Sequence, residues 1–325
     1  MLIVGSTSPN GTYRRPRPSL DGVRVWIALW TVYLVWGSTY LAIRYVVETI
    51  PAFLGAGLRF STAGVIFMAY IALRRGGLAA LRIGWRPLGA CAFVGLALLL
   101  GGNGLVVVSQ DGGTPSGIAA LVVATVPLWV IVFRSLTGDR VSRSTVAWVV
   151  MGFAGVALLL LPGERPEGTT VGGILIVLAA AFCWATGSFA SGRLPLPKDP
   201  IVTTAWQMVC GGAAMLAVGL VIGEANDVRM SELSTESVAA FAYLVLIGSL
   251  VAFTAYVWLL RNAPISQVAT YAYVNPVVAI ALGALFVDEE ITALVAGAAA
   301  VIVASVAGTV SREAQPREAP ASARA

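Results

Sequence analysis

The sequence is divided into apolar blocks that are separated by short polar connections. An α-helix of about 20 residues crosses a hydrocarbon core roughly 30 Å thick, and each block is long enough to supply one such helix. The composition agrees, because 58% of the residues are hydrophobic and 11% are charged, whereas soluble domains carry roughly 25% charged residues. The chain is therefore predicted to be an all-α polytopic membrane protein that lies in the lipid bilayer.

We predict ten transmembrane helices, numbered span 1 to span 10 along the chain. Their ranges are 25–47, 52–73, 87–109, 114–136, 144–162, 170–192, 200–222, 237–260, 265–287 and 291–310. Only the connections 74–86 and 223–236 are longer than a few residues, so no separate soluble domain is predicted. Segments 1–24 and 311–325 are predicted to be disordered tails, because they are rich in Pro, Arg, Ser and Ala and contain no long apolar run.

Lysine and arginine lie almost entirely on one predicted side of the membrane. Of the 21 such residues, Arg44 and Arg59 lie within spans, and only Arg165 and Arg229 fall on the side opposite the termini. This bias is the positive-inside pattern, which predicts a multi-pass protein of the cytoplasmic (inner) membrane with both termini in the cytoplasm. The basic residues follow the topology and form no separate patch, so nucleic-acid binding has no support.

The second half of the chain repeats the first at a shift of 148–149 residues. The aligned pairs are Trp36 and Trp184, Arg59 and Gln207, Gly64 and Gly212, Pro115 and Pro264, Pro127 and Pro276, and Asp139 and Asp288. Five spans are an odd number, so the second repeat (170–310) must insert upside down relative to the first (25–162). Inverted repeats are typical of secondary transporters, because two similar halves can exchange conformations and so give inward-open and outward-open states of similar energy.

Four segments also resemble a known family: VWGSTYLAIRYV in span 1, LRFSTAGVIF in span 2, SGIAALVVATVPLWV in span 4, and ATYAYVNPVVAIALGALFVDEEIT from span 9. Together with the duplication, they resemble the EamA branch of the drug/metabolite transporter superfamily over residues 25–310. The resemblance implies a ten-helix metabolite carrier, commonly an exporter of amino acids or related small molecules. It also implies a central cavity between the two repeats for a small-molecule substrate.

Pro127 and Pro276 occupy equivalent positions near the middle of spans 4 and 9. Each lacks an N–H, so the carbonyl groups of Val123 and Ala272 are expected to lose their helical partners at membrane depth. Interrupted helices at corresponding places in two halves indicate a midplane binding site. The alternative is a kink that only serves packing.

Polar and aromatic side chains occur at the same level on several spans. Amide groups that face lipid would be costly, so Asn103 and Asn275 are expected to face protein or a water-filled cavity. Bonds between neighbouring helices, or an interfacial position for Tyr and Trp, are the alternatives. The candidates for the substrate cavity are Trp36, Ser38, Tyr40, Arg59, Asn103, Thr125, Pro127, Trp184, Ser188, Gln207, Tyr256, Tyr271, Tyr273, Asn275 and Pro276.

Two arginines lie inside apolar spans, where an unpaired charge costs several kcal/mol. Arg44 has Glu48 one turn further on, so an i,i+4 ion pair is expected there. Arg59 has no such partner in its own helix. It is interpreted either as a structural residue that reaches Glu48 or as a group that holds a substrate carboxylate.

No pattern for catalysis, a metal ion or a cofactor is present. The chain contains no histidine, which excludes His-based catalytic triads, and Cys91, Cys183 and Cys210 lack metal-ligand spacing and are interpreted as buried apolar residues. The acidic run 288–290 is a single cluster, whereas magnesium-dependent prenyl transfer needs two, and it is interpreted as capping the loop before span 10. The chain is therefore not expected to be an enzyme; a channel or receptor-like protein is the alternative to a carrier.

Small residues predict two further helix contacts. Ala296, Ala300, Ala304 and Gly308 form a stripe along span 10 on which another helix can pack, either within the monomer or in a homodimer. The Gly-rich run 101–104 lies in an apolar span without the strand–turn–helix context of a nucleotide loop, so close helix packing is predicted there.

Overall fold

The computed structural model describes residues 20–74, 77–139, 141–161, 166–263, 265–268 and 270–313. Every regular element in these residues is helical, which confirms the all-α prediction. The first described helix begins at Leu20 and the last ends at Glu313. The rest of both predicted tails lies outside the described residues, as do Pro264 and Arg165.

Nine helices in the described residues are long and apolar enough to cross a membrane. They are spans 1 to 8 and span 10, with the bounds Gly22–Val46, Ala52–Arg74, Trp85–Asp111, Ser116–Leu136, Arg143–Leu160, Val171–Ser191, Pro200–Val221, Thr235–Leu259 and Ala293–Arg312. Short 3-10 helices at Gly77–Leu81, Glu224–Asn226 and Met230–Glu232 lie in the two longer connections. The order of the predicted spans is thus confirmed.

Span 9 differs from its predicted range of 265–287. It consists of the one-turn helix Ile265–Val268 and the 16-residue helix Tyr271–Phe286. At 1.5 Å per residue the longer helix covers about 24 Å, which is less than the hydrocarbon core. The described residues of span 9 therefore form two helices, and Thr270, which precedes the second, lies in a turn.

The two halves pack in the pattern that a duplicated chain requires. Equivalent helices meet in pairs: span 2 packs on span 7, span 4 on span 9, and span 5 on span 10. The other contacts are exchanged between the halves. The contact of span 3 with span 6 corresponds to the contact of span 8 with span 1. In the same way, the contact of span 4 with span 6 corresponds to the contact of span 9 with span 1. These contacts agree with two repeats related by a pseudo-twofold axis.

Gly64 and Gly212, which the repeat aligns, both lie in the contact between spans 2 and 7. A Cβ on Gly64 would lie 3.0 Å from the backbone nitrogen of Val209, and one on Gly212 would lie 2.6 Å from that of Ser61. The two backbones approach this closely because neither glycine has a side chain. The repeat therefore places a glycine from each half in the same interface.

The small-residue stripe of span 10 meets the protein at one end only. A Cβ on Gly308 would collide with the ring of Trp148 in span 5. The three alanines of the stripe are exposed, because the helix turns Ile302 and Ser305 towards span 5 instead. Packing within the monomer therefore holds for Gly308 alone, and a homodimer through span 10 stays a prediction.

Spans 3 and 8 each contain a π-helical segment that the sequence did not predict. The segments are Leu96–Gly104 and Leu244–Val251, and their first residues are separated by 148 positions, which is the repeat shift. Wider turns of this kind occur frequently at functional sites. The two segments are equivalent parts of the duplicated fold.

Candidate functional site

A cavity of about 110 Å³ lies between the two halves. Spans 1 to 4 line it from the first half, and spans 6, 8 and 9 line it from the second. Both repeats therefore contribute to the lining of one cavity.

Most of the predicted candidates line this cavity. They are Trp36, Tyr40, Arg59, Asn103, Pro127, Trp184, Tyr271, Asn275 and Pro276. These residues come from spans 1, 2, 3, 4, 6 and 9, so the fold brings together side chains that are distant in the sequence. The six other candidates, Ser38, Thr125, Ser188, Gln207, Tyr256 and Tyr273, are not among the lining residues.

Two of these six residues, Ser38 and Thr125, form hydroxyl hydrogen bonds inside the protein. Ser38 Oγ and the Tyr243 hydroxyl are hydrogen-bonded at 2.6 Å, which joins span 1 to span 8. Thr125 is fully buried, and its hydroxyl donates to the carbonyl oxygen of Val122 at 2.7 Å. For Ser38 the structure supports the alternative interpretation, a bond between helices.

The remaining polar candidates also have contacts with other parts of the protein and are not among the lining residues. Gln207 lies where span 7 meets span 3, and its backbone carbonyl oxygen would be 2.4 Å from a Cβ on Gly95. Ser188 is half-buried and its carbonyl oxygen accepts from the hydroxyl of Ser191. Tyr273 packs against the core of spans 4, 5, 6 and 10.

An aromatic cluster forms the wall of the cavity on spans 1, 8 and 9. The ring centre of Trp36 lies 5.2 Å from that of Tyr271, 5.0 Å from that of Tyr256 and 6.0 Å from that of Phe253. Tyr256 contacts these rings but is not among the lining residues. The contacts of Trp36 with Tyr271 and Phe253 are edge-to-face, and such contacts hold aromatic side chains in defined orientations.

Trp184, the counterpart of Trp36 in the repeat, lines the cavity from span 6. It packs on the Gly-rich run 101–104 of span 3, where a Cβ on Gly102 would lie 2.8 Å from Trp184 Cε3. A Cβ on Gly101 would lie equally close, 2.8 Å, to Cys183 Cβ. These contacts confirm that the run serves close helix packing.

Arg59 is the only basic side chain among the described residues that line the cavity. The residue is 6% exposed, and its Nε donates to Ser249 Oγ at 3.0 Å. Its Cζ atom lies 4.6 Å from the ring centre of Phe60. In the described part of the chain it forms no ion pair, so Glu48 is not its partner.

The expected ion pair between Arg44 and Glu48 is also absent, although both residues are described. Span 1 ends at Val46, and residues 47–49 form a turn. Glu48 therefore leaves the helix before it can reach the i,i+4 position. Arg44 lies in the last turn of span 1, where a positive charge is favourable near the negative end of the helix dipole.

The proline-linked break exists in span 4 but not at the equivalent place in span 9. Span 4 is divided into Ser116–Val123 and Val126–Leu136, and the N–H groups at the start of its second part bond to the Thr125 carbonyl. Pro276, by contrast, lies inside a continuous helix. One missing bond is tolerated there, and the turn in span 9 lies before Tyr271. The expected symmetry of the two breaks was therefore wrong.

Sequence reasoning missed several residues of the site: Phe60, Gly248, Ser249 and Phe253 all line the cavity. Ser249 belongs to the π-helical segment of span 8. The shift of 148 residues aligns it with Gly101 in the π-helical segment of span 3. The repeat was the signal that could have identified this segment.

Two glutamates of the second half cap helices of the first. Glu289 accepts from the backbone N–H groups of Ser116 and Gly117 at the start of span 4, at 2.6 and 3.0 Å. Glu224 does the same at the start of span 2, at 3.0 and 2.8 Å. The sequence predicted that the acidic run 288–290 caps the loop before span 10; in the structure its Glu289 caps the start of span 4.

Comparison with known proteins adds to this geometry. The model of the EamA-like transporter family matches residues 25–161 and 171–311. The uncharacterized inner membrane transporter YedA of Escherichia coli strain K12 is 38% identical over 86% of this chain and 88% of its own. A protein of the same organism named "Probable amino-acid metabolite efflux pump" is 24% identical over 81% of this chain and 87% of its own.

A solved crystal structure has the same fold. The solved chain is 23% identical to this one, and the two superpose with a TM-score of 0.60. The match covers 90% of this chain and 98% of the solved chain. At this level of identity the likeness concerns the arrangement of the helices alone. It agrees with the all-helical architecture described above.

Proposed function

The chain belongs to the EamA-like transporter family, and on that premise we propose that it is a secondary transporter rather than an enzyme. In this proposal it moves a small metabolite, an amino acid or a related amphipathic compound, out of the cell across the cytoplasmic membrane. The names of the two E. coli relatives, an inner membrane transporter and an amino-acid metabolite efflux pump, support this class of substrate and this location.

The observation that carries the proposal is the position of the cavity between the two repeats. Both halves supply aromatic groups to it, Trp36 from the first and Trp184 from the second. Because contacts are exchanged between equivalent helices, the halves can adopt each other's conformations at a similar energy. Alternating access then consists of a rocking motion of one repeat against the other around the bound substrate.

The distribution of charges supports an orientation with both termini in the cytoplasm. In this orientation the starts of spans 2 and 4 lie at the outer face. Glu224 and Glu289 would then hold the outer ends of the two halves together through their backbone contacts. Release of these contacts would accompany opening to the outside.

Transport by purified protein in liposomes tests the proposal. Metabolites in the medium of overexpressing and deletion strains are compared first, and the compounds that differ are then tested for uptake. A carrier should show flux that saturates with concentration and is stimulated by substrate on the opposite side. Unsaturated flux that carries current would instead indicate a channel, and binding without flux would indicate a receptor-like role.

Alternating access is tested by cysteine labelling at the two ends of the cavity. In a background without Cys91, Cys183 and Cys210, cysteines replace Ile43, near the C-terminal end of span 1, and Phe253, in the last third of span 8. Both positions line the cavity. Substrate should increase labelling at one position and decrease it at the other. A parallel change at both would contradict the mechanism.

A further inference from the structure

Arg59 has fewer partners than a buried guanidinium group requires. A guanidinium has five N–H donors, and the described residues provide one side-chain oxygen, Ser249 Oγ, which accepts from Nε at 3.0 Å. No described Asp or Glu is among the residues that line the cavity. A positive charge that is buried without a negative partner is strongly unfavourable. The described residues of the lining therefore supply no negative partner for Arg59.

We infer that the negative partner of Arg59 is the carboxylate of the transported molecule, and that the cavity selects monocarboxylates with an apolar or aromatic body. The inference rests on the proposed transport function. Because Ser249 holds Nε, the two Nη groups of Arg59 remain for substrate. Nη2 lies against the cavity wall, 3.4 Å from where a Cβ on Gly248 would be. A carboxylate can accept two parallel hydrogen bonds from a guanidinium group.

The charge of the lining favours a carboxylate over other ionised groups. Arg59 is the single cation among the described lining residues, so the lining balances one negative charge on a bound molecule. A phosphate ester carries roughly −1.5 to −2 charges and would leave an uncompensated negative charge away from water. An amine without a carboxylate would bring a second positive charge next to Arg59.

The rest of the lining favours an apolar or aromatic body. Trp36 and Tyr271 present an edge-to-face pair with ring centres 5.2 Å apart, and Trp184 adds a third aromatic ring to the lining. Burial of an apolar group against such faces is favourable, because it removes apolar surface from water. A small hydrophilic acid would leave these faces without a partner.

Asn103 supplies a weaker site for an amino group. Its Oδ1 atom is buried without a hydrogen-bond partner among the described residues, and the residue lines the same cavity. One neutral acceptor can take one N–H of an ammonium group, but it compensates the charge less well than a carboxylate would. The carboxylate should therefore dominate binding, and an α-amino acid and its deaminated counterpart should both bind.

Four compounds with the same aromatic body separate these contributions: L-phenylalanine, phenylalanine amide, 3-phenylpropionate and phenethylamine. Binding to the full-length protein in detergent is measured from the rise in unfolding temperature and from the quenching of tryptophan fluorescence, because Trp36 and Trp184 line the cavity. The two acids should bind at least about 30-fold more tightly than the amide and the amine, since loss of one partner of a buried charge pair has an effect of this size.

Two outcomes with these compounds would overturn the inference. The first is equal or tighter binding of phenethylamine compared with 3-phenylpropionate. The second is the absence of binding by every member of a wider panel of apolar monocarboxylates. In either case Arg59 would be a structural residue.

Variants of Arg59 test the residue itself. Arg59→Gln should weaken binding of the acids at least about 30-fold, whereas Arg44→Gln, the matched change at an arginine outside the lining, should leave it unchanged. A folded Arg59→Gln protein that keeps full acid binding would refute the assignment. If Arg59→Gln does not fold, Arg59→Lys and Ser249→Ala take its place. Each should reduce the preference for acid over amine roughly threefold to tenfold, and an unchanged preference in both would refute it equally.

Flux in liposomes distinguishes failure of this inference from failure of the proposed function. Acids that bind but do not cross the membrane would refute the transporter role and leave the carboxylate site in place. A transported metabolite that lacks a carboxylate would refute the carboxylate site and leave the transporter role in place.

Discussion

Glu289 accepts a hydrogen bond from the backbone N–H of Ser116 at 2.6 Å, although 173 residues separate the two in the sequence. Span 4 cannot cap its own start, because the residue at the capping position is Pro115, which has no side-chain acceptor. A carboxylate from the second half therefore satisfies the first N–H groups of a helix in the first half. Its negative charge also interacts favourably with the positive end of the helix dipole.

Glu289→Ala should lower the free energy of unfolding by about 1–2 kcal/mol, because two N–H groups of span 4 would lose their acceptor. Thermal unfolding in detergent measures the change. Glu290→Ala is the matched control, since this neighbouring side chain is exposed and caps no helix in the described residues. An equal effect of the two substitutions would show that the cap does not contribute to stability.

Gly212→Ala should destabilise the protein by about 1–3 kcal/mol through overpacking. The added Cβ would lie 2.6 Å from the Ser61 backbone nitrogen and would push spans 2 and 7 apart. At Gly297 in span 10 nothing lies within 4 Å of an added Cβ, so Gly297→Ala should be neutral or stabilising by up to about 1 kcal/mol. Unfolding temperatures in detergent compare the two, and no difference would contradict the close contact.

Pro127→Ala should slow transport without lowering the unfolding temperature. The new N–H can pair with the Val123 carbonyl, which makes the broken span 4 more continuous and less able to bend. Initial rates in liposomes give the transport effect, for which a several-fold decrease is expected. Pro200→Ala is the control, because Pro200 lies at the start of span 7 where the helix has no earlier carbonyl to pair with. An unchanged rate for Pro127→Ala would mean that the break serves packing.

Gln110→Glu should be far more destabilising than Gln110→Leu. Gln110 is fully buried, and its Nε2 donates to the Tyr40 carbonyl oxygen at 2.9 Å, while Oε1 has no partner among the described residues. Leucine removes one hydrogen bond, worth about 1 kcal/mol, together with an unpartnered acceptor, so the net loss should be small. Glutamate loses the donor and buries an acidic group, and its loss should exceed about 2 kcal/mol. Similar unfolding temperatures for both variants would contradict this account.

The sequence located the spans and many of the cavity residues, but it assigned local partners wrongly. Arg44 and Glu48 have the spacing of an ion pair, yet the helix ends between them. Pro127 and Pro276 are aligned in the repeat, yet only the first accompanies a break at its own position. In each case the residue types are suited to the predicted local feature. The path of the backbone decides whether that feature forms.

What the sequence determined by itself follows from properties of segments. The length of an apolar block is enough to identify a span, and a shift of 148 residues is enough to identify the duplication. Only the tertiary structure decided which side chains form the site, because this depends on helix rotation and on the wider turns in spans 3 and 8. Arg59 meets Ser249 across 190 residues, and no local pattern records a contact that packing between two halves creates.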